Sequence, residues 1–150
     1  MDKVRILFVC LGNTCRSPMA KVIFEQIVKQ RGLEYKFFVD SAAKGFPSGP
    51  SANLKAREAI IQLYGRDLLA DHKPKSIREL NLNDFDLILT MDEEQKVGLP
   101  FGKTYTLKEY AGLEGNIPDP YGKPLEDYIK CRDEIKDCLE RVIGKISEKD

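Results

Sequence analysis

Near the N-terminus an apolar run gives way to Cys10-Leu11-Gly12-Asn13-Thr14-Cys15-Arg16, followed by Ser17-Pro18. A cysteine and an arginine on one short loop are the parts of a covalent phosphate-handling site. Between a strand and a helix, residues Leu11 to Ser17 can curl their backbone N–H groups inward and form a concave anion nest. Gly12 supplies backbone freedom, and Asn13 tolerates left-handed conformations better than most residues. Arg16 offers a planar fork matched to two phosphate oxygens. At the bottom of such a nest the helix dipole, the N–H groups and Arg16 all favour the thiolate of Cys10, and Ser17 can donate to its sulfur. The spacing alone is a weak signal, because a lone cysteine at a strand end is usually a small buried side chain. Its place between a strand and a Ser-Pro-led helix, with Gly and Asn inside, makes it specific.

A second element is Pro118-Asp119-Pro120-Tyr121, in an irregular stretch rich in glycine and proline. Pro120 holds Asp119 out of the helical region and Pro118 stiffens its approach. An acid on a rigid loop suits proton delivery to a leaving group, with Tyr121 lining the pocket wall; standing alone, the motif reads equally well as a surface turn. His72 is the single histidine. A cysteine–histidine dyad is one reading of it, but a phosphate-bound thiolate needs no base, which favours a structural histidine.

These residues need a frame. Val4 to Val9 is a nearly continuous β-branched and aromatic run, as in a buried parallel strand. Ser17-Pro18 reads as the N-cap and first residue of a helix bearing Met19, Val22, Ile23 and Ile27, with Gly32 as its stop. Phe37 to Val39 predicts a second strand, ending at Asp40-Ser41. A loop follows over Ala42 to Pro50, then a helix from a Ser51 cap to about Tyr64, stopped at Gly65. A short helix is expected over Ser76 to Leu82, strands over Asp86 to Met91 and Lys103 to Leu107, and irregular chain from Glu109 to Pro124. Tyr128, Ile135, Leu139, Val142 and Ile146 mark a last helix. Strands alternating with helices predict an α/β fold, with the Cys10 loop at the carboxyl end of the first strand, where ligands bind in such sheets. One domain over residues 1–150 is expected.

Hydrophobic residues are 42% and charged residues 32% of the 150, with 24 basic and 24 acidic side chains. That balance argues against general nucleic-acid or membrane-surface binding, since those partners select for a basic excess. Met1-Asp2-Lys3 and the short apolar run after it do not read as an export segment, and no stretch reaches membrane-spanning length. Four cysteines without an export signal point to free thiols in the cytoplasm.

Together, CLGNTCRSPMA, Asp40-Ser41-Ala42 and Asp119-Pro120-Tyr121 resemble the low-molecular-weight protein tyrosine phosphatases over essentially the whole chain. The resemblance implies a central four-stranded parallel sheet flanked by helices, no metal or other cofactor, phosphorylated proteins as partners and a phosphocysteine intermediate. By it Cys10 is the nucleophile, Arg16 the phosphate clamp, and Asp119 first acid and then base. Ser17 would stabilise the thiolate, and Asn13 would hold the loop through Ser41 and His72. The family's usual DSAG reads Asp40-Ser41-Ala42-Ala43 here, a departure that bears on the shape of that loop. The arginine-phosphatase branch carries threonine where tyrosine phosphatases usually have a bulkier aliphatic residue, and Thr14 stands there. Thr106 to Tyr110 and Tyr128 to Glu134 also look like that branch, whereas Tyr121 is the tyrosine-phosphatase form. The expectation leans to phosphoarginine, with phosphotyrosine as the alternative.

Arsenate reductases share the fold and the first loop but pass electrons through further cysteines near mid-chain. Here none lies between Cys15 and Cys131, and Cys131 and Cys138 stand about 10 Å apart along a helix, beyond disulfide reach. A module that binds anions without turnover would be expected to lose Cys10 or Asp119, and a nucleotidase loop of the G-x-x-x-x-G-K type is absent. Cys15 is expected to form a reversible disulfide with Cys10 under mild peroxide, though it also reads as a small packed side chain.

Overall fold

The computed structural model describes residues 3–147, so Met1-Asp2 of the segment read as carrying no export signal lie outside the described residues. Four strands, β1 (Val4–Cys10), β2 (Phe37–Ala43), β3 (Leu87–Thr90) and β4 (Thr104–Thr106), form one all-parallel sheet in the order β2-β1-β3-β4. The helices are α1 (Arg16–Gln30), α2 (Leu54–Tyr64), α3 (Leu107–Tyr110) and α4 (Leu125–Ser147). β1 lies between β2 and β3, which explains its unbroken apolar sequence: Ile6 to Cys10 are all buried. Alternation then sorts its side chains. Ile6, Phe8 and Cys10 join the large core beneath α1, α2 and α4, while Leu7 and Val9 face a smaller cluster with Phe85 and Ile88. Burying each of these larger apolar side chains contributes about 1.5–3 kcal/mol.

Crossing from β1 to β2 on one side and β3 on the other reverses the strand order at the carboxyl end of β1. The Cys10 loop emerges at that crevice. α4 packs against α1 and α2, with Tyr128, Cys131, Ile135, Cys138, Leu139, Val142 and Ile143 forming a buried stripe at helical spacing that joins the large core.

Several local expectations are corrected. Ser17 is not the cap of α1; Cys15 occupies the cap position without a side-chain bond, because the Ser17 hydroxyl is drawn to the Cys10 sulfur. α2 is capped by Asn53 rather than Ser51, its carboxamide oxygen accepting from Lys55 and Ala56 N–H. The segment from Ser76 divides into two 3-10 turns, Ile77–Glu79 and Leu82–Asp84. α3 occupies part of the stretch read as irregular, started by a Thr106–Glu109 capping box. Gly32 and Gly65 do end their helices, both with left-handed φ.

Candidate active site

The carbonyls of the Cys10 loop are spoken for from outside it. Cys10 O accepts from Lys44 N–H, Gly12 O from Ser48, Thr14 O from Asn53 and Cys15 O from Met19. Asn13 O meets His72 Nε2 at 2.8 Å. In a trans peptide each C=O points opposite to the next residue's N–H. Pulling five carbonyls outward therefore turns the N–H groups of Leu11, Asn13, Thr14, Cys15 and Arg16 to the inside. The Asn13 N–H lies 3.2 Å from Cys10 Sγ. The Ser17 hydroxyl is 2.9 Å from the same sulfur.

Asn13 is the non-glycine residue with positive φ among those described, at 57°, and its side chain secures that conformation. Its Nδ2 donates to Ser17 Oγ at 2.8 Å and Ser41 Oγ at 3.0 Å, while Oδ1 accepts from Lys75 N–H at 3.1 Å. One amide thus ties the loop to α1, to β2 and to the segment after His72. Gly12 matters for a reason other than backbone freedom. A Cβ built there would stand 2.2 Å from Ser48 Oγ, so glycine lets the neighbouring loop close in. Ala43, which departs from the family pattern, ends β2 opposite Cys10 and needs no glycine conformation.

Arg16 is 2% exposed, with a fixed posture. Its Nη1 donates to Asp92 Oδ2 at 2.8 Å and to Ile117 O at 2.7 Å. Nη2 stands 3.6 Å from Asp119 Oδ2. Burial opposes the guanidinium charge, but Cys10, Asp92 and Asp119 outweigh it and push its pKa up. Asp119 remains 42% exposed, and its Oδ1 accepts from Tyr121 N–H in a local turn. Asp92 was missed in the sequence, although an acid just past β3, at the carboxyl end of a strand beside β1, is where such a partner belongs.

A cleft of about 310 Å³ opens over this constellation, its wall including Cys10, Arg16, Thr14, Ser48, Phe46 and Asp119. Leu11 and Tyr121 also border it, both well exposed. The Thr14 hydroxyl is 2.9 Å from Ser48 Oγ, so this part of the wall is polar and fixed. Ser48 and Phe46 lie in the loop read only as a glycine- and proline-rich connection.

The other titratable groups here are held neutral by burial. Desolvation raises the Cys15 pKa against its hydrogen bonds with Thr14 and Tyr128, and pushes Cys131 and Cys138 up to about 12 and about 11. Burial lowers His72, whose neutral ring donates its Nε2–H to Asn13 O. Among the described residues no helix is long and apolar enough to cross a membrane. The arrangement can seat a tetrahedral oxyanion above the Cys10 sulfur, with a fixed cation and the Asp119 carboxyl group at its edge.

Comparison with known proteins gives this geometry a setting. The low molecular weight phosphotyrosine protein phosphatase family matches residues 5–150. A protein-arginine-phosphatase of Bacillus subtilis (strain 168) is 34% identical over 152 residues, spanning 97% of this chain and 97% of its own. The crystal structure of a low molecular weight protein tyrosine phosphatase from T. tengcongensis matches with a TM-score of 0.86 and 41% identity, over 95% of this chain and 99% of its own. An arsenate reductase 2 of Staphylococcus haemolyticus (strain JCSC1435) is 33% identical over 140 residues, covering 93% of this chain and 96% of its own.

Proposed function

The chain belongs to the low molecular weight phosphotyrosine protein phosphatase family, a cysteine-dependent protein phosphatase, and we propose that it removes a side-chain phosphate through a phosphocysteine intermediate. The Cys10 sulfur attacks phosphorus; the S–P bond forms as the bond to the leaving atom breaks, and Asp119 gives that atom its proton. Arg16 and the inward N–H groups hold the phosphoryl oxygens where charge gathers. In the second step the Asp119 carboxylate takes a proton from water, whose oxygen attacks phosphorus and releases inorganic phosphate and the Cys10 thiolate. The observation that carries this reading is the convergence of Ser17 Oγ and the Asn13 N–H on one sulfur, beside a buried guanidinium whose second nitrogen faces Asp119.

For the substrate we favour phosphoarginine. Thr14 gives the cleft a hydroxyl wall, braced by Ser48, and a polar leaving guanidinium keeps hydrogen-bonding room there. The likeness to the B. subtilis arginine phosphatase supports the same choice. Phosphotyrosine is the second reading, favoured by Phe46 and Tyr121, which stand 77% and 64% exposed at the cleft and offer rings to a flat phenol. Arsenate reduction finds less support, because Cys131 and Cys138 are buried on α4 with thiols held well above neutral. The test is kcat/KM on one peptide carrying phosphoarginine or phosphotyrosine at the same position. A higher value for phosphoarginine is expected, and a higher value for phosphotyrosine overturns the assignment.

A further inference from the structure

Gln95 lies on a 3-10 turn (Glu93–Lys96) just past β3 and is 4% exposed. Its side-chain oxygen accepts from the N–H groups of both Met91 and Asp92, at 3.1 and 3.0 Å. Its nitrogen donates to Asp92 Oδ2 at 3.0 Å, the same oxygen that receives Arg16 Nη1. The turn that Gln95 closes also reaches the second acceptor of Arg16. Met91 O accepts from Ile117 N–H at 3.0 Å, and Ile117 O accepts from Arg16 Nη1. Ile117 stands two residues before Asp119.

We infer that Gln95 is a positioning residue that sets the Arg16 fork and the base of the Asp119 loop in one register. A buried guanidinium with five donors has many ways to turn, and only a fixed acceptor pair leaves its other nitrogen aimed at the cleft. Asp92 alone does not fix that pair, since a carboxylate that is 27% exposed can rotate toward water. The Gln95 amide removes that freedom, by claiming Asp92 Oδ2 and by clamping the backbone on which Asp92 and Ile117 both depend. The inference rests on the phosphatase reading of the site.

Gln95→Glu keeps the size and the accepting oxygen but replaces the donor with a carboxylate facing Asp92. Gln95→Met keeps the length and leaves two buried N–H groups without their acceptor. In both, measured well below the melting temperature, the inhibition constant of inorganic phosphate should rise roughly 10-fold or more, as for loss of a charge-assisted hydrogen bond. The fall in kcat should be larger on phenyl phosphate than on p-nitrophenyl phosphate, because a displaced Asp119 matters most for a poor leaving group. Lower melting temperature with unchanged phosphate inhibition and unchanged leaving-group dependence in the folded variants assigns Gln95 a structural role and overturns the inference. If neither variant folds, Gln95→Asn, which keeps the donor and the acceptor on a shorter arm, is put to the same two readouts, with the same results expected and the same result overturning the inference. Failure of the wild type to hydrolyse the aryl phosphates and the phosphoarginine and phosphotyrosine peptides alike sinks the phosphatase reading itself, a result distinct from any of these.

Discussion

Replacing Asn13 separates what its side chain does from what its backbone does. The residue is fully buried and holds φ at 57°, and its side chain makes three hydrogen bonds, to Ser17, Ser41 and Lys75. Asn13→Gly keeps the left-handed backbone and removes all three; at about 1 kcal/mol net for each, the cost is about 3 kcal/mol. Asn13→Ala removes the same bonds and adds about 1–2 kcal/mol for a left-handed alanine, so about 4–5 kcal/mol in all. For a chain of this size that is roughly 6–12 °C in Tm for the glycine variant and more for alanine. Chemical denaturation followed by circular dichroism gives the free energies, and turnover of an aryl phosphate reports whether the loop keeps its shape. Activity should fall in both, because the Asn13 N–H on the Cys10 sulfur moves when its anchors go. If both variants are as stable as the wild type, the amide does not tie the loop. If alanine costs no more than glycine, the left-handed backbone is not retained.

Asp119→Asn should slow turnover of poor leaving groups by about 10²- to 10⁴-fold, with a smaller loss on an activated aryl phosphate; equal losses would reduce Asp119 to a loop residue. Thr14→Ile should shift the ratio of phosphoarginine to phosphotyrosine kcat/KM toward phosphotyrosine by about 10- to 200-fold. An unchanged ratio defeats the role given to the hydroxyl wall. Burial lowers the folded-state pKa of His72 below its unfolded value, so the unfolded chain takes up the proton first as pH falls. The contribution of His72 is then whole above about pH 6.5 and is lost as pH drops below it. Unfolding free energies at about pH 7.5 and about pH 5.5 should differ less in His72→Gln than in the wild type, and equal differences would contradict this.

The place of the loop at the end of a buried strand was legible because it is local. Cys10, Arg16 and their spacing are contiguous in sequence, and the apolar run before them can only be a buried strand. Gly32 and Gly65 announced helix ends because few other residues adopt their φ. Ser17 misled because serine before proline satisfies the capping rule, and nothing in the local sequence says that a sulfur will claim its hydroxyl first. The partners of Arg16 were hidden for a related reason. Asp92 and Ile117 lie 76 and 101 residues away, and only the strand order brings them to the end of β1. Ser48 was similarly unreadable, since its value depends on Gly12 allowing close approach. Short 3-10 turns carry too few residues for a periodic signal, so the turn bearing Gln95 left no trace beyond its acid-rich composition.

The covalent mechanism is tested most directly by trapping the intermediate. Asp119→Ala should slow its hydrolysis by removing the base, while an activated aryl phosphate, whose leaving group needs no proton, still forms it; a brief reaction with labelled p-nitrophenyl phosphate, quenched in acid, should leave the phosphoryl group on the peptide containing Cys10. Mass spectrometry would place it on sulfur, and Cys10→Ser should release no product while still binding inorganic phosphate through Arg16 and the loop N–H groups. Product formed at the normal rate with Cys10 never labelled, or substantial turnover by Cys10→Ser, would contradict the account.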